Sequence, residues 1–73
     1  MKLLSQLSVG EKGIVAAVIG KGAIRRRLLD MGITPSTELY VRKKAPLGDP
    51  IEIALRGYEL TLRKTEAARV VIE

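Results

Sequence analysis

Two short basic runs carry most of the chemistry open to this sequence: Arg25, Arg26 and Arg27, then Arg42, Lys43 and Lys44. Residues 21–44 hold seven Lys and Arg against two acidic residues, and the rest of the chain holds six of each, so the net charge of +5 sits in that stretch. Cations at that density attract carboxylates, the phosphates of nucleic acid or an anionic membrane surface, and a solvated basic face is the other use of the same residues. An arginine can also stabilise the charge that develops on a transferring phosphoryl group, but Arg25 to Arg27 read as one helix, which lacks the reach of a flexible loop. Immediately after the second run come Pro46 and Leu47. A leucine held on a stiff loop loses little entropy when it docks on a partner. The competing fate for Leu47 is to fold back onto the core.

The residue inventory argues against an enzyme. His and Cys are absent, which removes imidazole and thiolate mechanisms, disulfides and the usual zinc sites. Ser5, Ser8 and Ser36 have no general base near them in sequence. Asp49, Glu52, Glu59 and Glu66 are scattered and are expected to face solvent, whereas a hard-cation site needs several oxygens converging. Gly20, Lys21 and Gly22 lack both the spacing and the Lys-Ser/Thr ending of a phosphate-binding loop. No catalytic residue, metal ligand or cofactor is therefore assigned. Binding to single-stranded nucleic acid would want aromatic platforms. Phe and Trp are missing, and of the two tyrosines Tyr40 is expected to face outward and Tyr58 to lie in the core.

The elements that must position these residues are short. A chain of 73 residues with 47% hydrophobic and 29% charged residues is one folded domain, 1–73, with an aliphatic core. Leu4 to Leu7 suits one helical turn. Ile14 to Ile19 is a β-branched apolar run bounded by glycines, hence a buried strand. Residues 23–31 read as a helix with Ile24, Leu28 and Met31 on one stripe and Leu29 beside them. Asp30 is spaced to pair with Arg26 or Arg27, and Gly32 stands where a left-handed cap is wanted. Residues 37–44 form a strand with Leu39 and Val41 inward, and 45–50 is a loop. Residues 51–63 read as a hairpin about Arg56 and Gly57, which sets 55 opposite 58, 53 opposite 60 and 51 opposite 62, with all six large apolar side chains on one face. Thr65 to Ala68 suits a capped turn, and Val70 and Ile72 end the chain in a strand. A mainly β fold of about five short strands with one inserted helix suggests a compact barrel, whose closure removes exposed edges. No leader or membrane span is legible, so a cytoplasmic location is expected.

The segments R-L-L-D-M-G-I-x-P at 27–35 and A-P-L-G-D-P-I at 45–51 resemble the FeoA family of small ferrous iron transport proteins. So do Leu4, Leu7, Gly10, Gly13 and Val15 before them, and Gly57, Leu60, Leu62, Arg63, Glu66 and Ala67 after them. The resemblance covers nearly the whole chain. It implies an SH3-like barrel and a cytosolic accessory role in bacterial uptake of ferrous iron, a transition-metal ion. It also implies a partner, the membrane permease FeoB with its cytosolic GTP-binding domain. The residues expected to meet that partner are Arg25, Arg26, Arg27, Arg42, Lys43, Lys44, Pro46 and Leu47. A related domain ends some metal-dependent repressors, but no helix-turn-helix region precedes the match here, so the stand-alone protein is the expectation. The alternatives are a detached repressor domain, a basic nucleic-acid-binding barrel, or association with phospholipid through the basic patch. The family usually has glycine after the turn proline, where this chain has Ser36.

Overall fold

The computed structural model describes residues 1–73. Its elements are β1 (Lys2–Leu3), β2 (Lys12–Val18), helix α1 (Gly22–Asp30), β3 (Glu38–Lys44), β4 (Ile51–Leu55), β5 (Tyr58–Leu62), helix α2 (Lys64–Ala67) and β6 (Val70–Ile72). Short 3₁₀ turns lie at Leu4–Gln6 and Pro46–Gly48. All pairings are antiparallel, in the order β1-β6-β2-β3-β4-β5. Strand β2 serves both halves: residues 12–14 pair with β3 and residues 15–18 with β6. That sharing curls the sheet around 15 buried aliphatic residues.

The sheet has six strands where about five were expected. The extra one, β1, spans two residues and is too short to show alternation. The hydrogen-bonded ladder does not close, because nothing pairs β5 with β1. Instead the turn at Leu4–Gln6 packs against α2 and β6, and Leu4, Leu7 and Ala67 are fully buried. Gly13 in β2 permits a close approach: a Cβ there would lie 2.7 Å from Ile72 Cγ2.

Helix α1 ends as its sequence requires. Gly32 takes φ +97°, Gly32 N–H donates to Leu29 O at 3.0 Å, and Ile33 N–H donates to Leu28 O at 3.1 Å. This pair of bonds is the Schellman cap, completed by Leu28 and Ile33, both fully buried. The apolar stripe is narrower than its spacing indicates. Leu28 is in the core and Leu29 and Met31 pack against it, but Ile24 is 40% exposed. Neither Arg26 nor Arg27 pairs with Asp30, and Arg27 reaches Glu66 instead.

The β4–β5 hairpin has the expected register, with Leu55 opposite Tyr58, Ile53 opposite Leu60 and Ile51 opposite Leu62. Its turn residues, Arg56 at φ 49° and Gly57 at φ 83°, are both left-handed, which is the type I′ arrangement that follows strand twist. The single apolar face is incomplete. Tyr58 is 40% exposed because it sits at the rim, where its hydroxyl donates to Met31 O. Leu60 is half-buried. Ser36 keeps the left-handed conformation, at φ 73°, without being glycine.

Candidate partner-docking surface

The basic residues expected to form one patch are mostly engaged within the fold. On α1, Arg25 Nε donates to Val18 O at 3.2 Å, and Arg27 Nη1 lies 2.7 Å from Glu66 Oε2. On β3, Arg42 pairs with Glu59 and, at 3.7 Å, with Glu52. Lys44 Nζ donates to Ser5 O at 3.4 Å. Arg26 and Lys43 alone make no ion pair and no side-chain hydrogen bond, and both are exposed. The two runs thus do not merge into a uniform patch. Part of each ties α1 and β3 to their neighbours.

The loop after β3 behaves differently from its folded-back reading. Leu47 is 95% exposed and holds φ 68°, and Pro46 beside it is exposed. Gly48 N–H donates to Ala45 O and Ala45 N–H to Pro50 O, both at 2.9 Å, so the loop is tied across its base.

A β-bulge decides which cations share a face. The register moves from Val41 opposite Ile53 to Lys43 opposite Glu52, leaving Arg42 as the extra residue. Simple alternation from Tyr40 would turn Lys43 inward, but the bulge returns it to the outer face in line with Glu52 and Thr61. Arg63, two residues beyond Thr61, is exposed there and makes no ion pair. It carries charge on this surface that the two basic runs did not reveal, although its place in the 59, 61, 63 alternation pointed outward.

Glu66 departs most from expectation, being buried rather than solvated. Its Oε1 accepts Arg63 N–H at 2.8 Å, capping α2, while Oε2 binds Arg27. Elsewhere Glu11 accepts Ser8 N–H at 2.9 Å and Lys2 Nζ at 3.2 Å, and these two bonds, the backbone one first, hold its carboxyl below the ordinary value. Thr34 and Thr37 hydroxyls bond each other at 2.9 Å and both accept from Arg56 Nη2. No three carboxylates gather as a metal site would require. The surface presents an apolar tip, Leu47, and the unpaired cations Arg26, Lys43 and Arg63.

A six-stranded antiparallel sheet curled on an aliphatic core, with one helix inserted between β2 and β3, defines a small SH3-like barrel. The chain belongs to the FeoA family of ferrous iron transport, whose domain model matches residues 2–73. It is 34% identical over 70 residues to the Fe(2+) transport protein A/Fe(2+) transporter FeoB fusion protein of Porphyromonas gingivalis, a match that takes in 96% of this chain and 8% of the fusion protein. The FeoA-like protein of Clostridium acetobutylicum superposes with a TM-score of 0.89 at 42% identity, covering 97% of this chain and 83% of that one. FeoA of Stenotrophomonas maltophilia in complex with zinc, a prokaryotic SH3-domain protein, gives 0.88 at 30% identity over 100% and 91% of the two chains. No helix of the present chain is long and apolar enough to cross a membrane.

Proposed function

We propose that this chain is a non-enzymatic accessory module that docks on the cytosolic side of a FeoB-type ferrous iron transporter. The observation that carries this reading is the fusion protein, in which a segment 34% identical to this chain shares one polypeptide with FeoB. A tether of that kind makes the encounter of two modules intramolecular and raises their effective concentration. The eight residues singled out in the sequence then divide by role. Leu47 and Pro46 anchor, and Arg26 and Lys43 steer an acidic partner surface. Arg25, Arg27, Arg42 and Lys44 chiefly hold the scaffold that presents them.

The test is capture of a FeoB-type transporter, in detergent and as its isolated cytosolic region, by the immobilised chain. Leu47→Asn tolerates the left-handed backbone and removes the apolar side chain. It is expected to weaken capture about ten-fold or more, the loss that goes with one buried leucine. Undiminished capture by that variant would relocate the surface, and no capture by either form would overturn the reading. GTP hydrolysis by the cytosolic region, with and without the chain, tests the arginine idea. Arg26 is the α1 arginine without an internal partner, and equal rates would eliminate a finger role.

A further inference from the structure

We infer that a cationic trough across β3, β4 and β5 receives an acidic, extended segment of the protein partner. This inference rests on the docking reading and adds the chemistry of the segment that is recognised. Two shallow depressions of about 330 and 320 Å³ meet at Pro50 and Thr61, which line both. Arg27 and Arg63 line the first, and Lys43 and Lys44 the second. Of the two carboxylates lining them, Glu66 is paired with Arg27, and Glu52 shares the charge of Arg42 with Glu59. Lys43 and Arg63 have no internal counter-ion, and Lys44 has only a carbonyl at 3.4 Å. The two linings together hold four cations (Arg27, Lys43, Lys44 and Arg63) against two carboxylates (Glu52 and Glu66), which leaves the trough at +2.

The same residues select among anionic ligands. A phosphate would want several converging backbone N–H groups, and two of those at the start of α2 are taken: Arg63 N–H by Glu66 Oε1 and Lys64 N–H by Asp49 Oδ1 at 3.2 Å. A nucleic-acid strand would want aromatic platforms, yet Tyr40 and Tyr58 both line a different groove. A lipid surface would want a convex cationic face, whereas these cations line depressions. An acidic peptide fits. Its carboxylates can meet Lys43 and Arg63 along the trough, beside the loop that carries Leu47.

The experiment titrates the isotope-labelled full chain with blocked hexaglutamate, which is about 20 Å long when extended and so comparable to the molecule's shortest dimension, 21 Å. Hexaglutamine, inorganic phosphate and half-phosphatidylglycerol vesicles are parallel probes, all at about 50 mM salt, where surface charge is weakly screened. Amide shifts are expected at 43–45, around Pro50 and at 61–63. Lys43→Ala with Arg63→Ala is expected to weaken hexaglutamate binding about five-fold or more, and Lys12→Ala with Lys21→Ala, equal in charge change, less than about two-fold. Equal weakening by both pairs, shifts spread over the surface, or tighter binding of phosphate or vesicles would each overturn the inference. The same pairs are then compared for transporter capture. If the native chain captures no transporter while hexaglutamate still maps to the trough, the docking reading fails and the peptide site stands. If capture is intact without Lys43 and Arg63, the docking reading stands and this inference fails.

Discussion

At the scale of single residues, Ser36 holds a conformation that its type does not advertise. Ser36 occupies φ 73°, while its N–H donates to Val15 O at 2.8 Å, so the turn is pinned to β2 in a conformation that strains a Cβ. Ser36→Gly is expected to raise stability by about 0.5–1 kcal/mol, the relief of that strain less the greater freedom of glycine in the unfolded chain. A urea denaturation midpoint no higher than the parent's would contradict it. Gly32 is the converse case. Its φ is +97°, and a Cβ would run into the Tyr58 hydroxyl. Gly32→Ala is therefore expected to cost more than 1 kcal/mol, roughly the left-handed penalty alone, with loss of the Tyr58 to Met31 bond added. Glu66 is a third case, because it caps α2 and clamps α1 at once. Glu66→Gln keeps an acceptor for Arg63 N–H, so it should destabilise less than Glu66→Ala, for which about 1–2 kcal/mol is expected from the lost cap and bridge. Denaturation of the two variants side by side separates the roles, and equal losses would mean that the cap contributes nothing.

At the scale of elements, the β4–β5 hairpin shows two demands on one position. Its type I′ turn favours Asn before Gly, yet Arg56 stands there, with its guanidinium bonded to Thr34 and Thr37 at 3.1 and 2.9 Å. Arg56→Asn improves the turn and releases both hydroxyls. The expected balance is a loss of about 0.5–1.5 kcal/mol, because charge-assisted hydrogen bonds outweigh a turn preference of a few tenths. A stabilised variant, read by thermal melting, would show that the turn dominates. The hairpin was also the most legible element in the sequence, since a period of two with a defined turn leaves one register that buries Ile51, Ile53, Leu55 and Leu62 together. Helix α1 was legible for a related reason, as Gly32 marks its end. The bulge at Arg42 was not legible. It is one extra residue in β3 opposite β4, and no local residue type announces it. The docking surface was correspondingly half visible: the sequence showed the cations and the stiff Leu47 loop, but not which cations the fold keeps for itself.

At the scale of the whole molecule, an open barrel must hold its ends by something other than a closed ladder. Strand β1 contributes two residues, paired to Ile72 and Val71, and a further restraint on it is electrostatic. Lys2 Nζ meets Glu11 Oε2 at 3.2 Å, and Glu11 Oε1 accepts Ser8 N–H, so one carboxylate fastens β1 to the segment that leads into β2. Because these bonds favour the ionised form, the carboxyl of Glu11 is held below the ordinary value of 4.5 in the folded chain. The unfolded chain therefore takes up a proton at this site before the folded one does. The stabilisation is present in full above the ordinary value and is lost as pH falls through the lowered one. Melting temperature should decline on acidification through that window. Glu11→Gln, which keeps an acceptor but no charge, should flatten part of the decline while leaving the neutral-pH value slightly lower. Amide exchange should show the loss first where β1 meets β6, and an acid profile identical in Glu11→Gln would place the responsible carboxylate elsewhere.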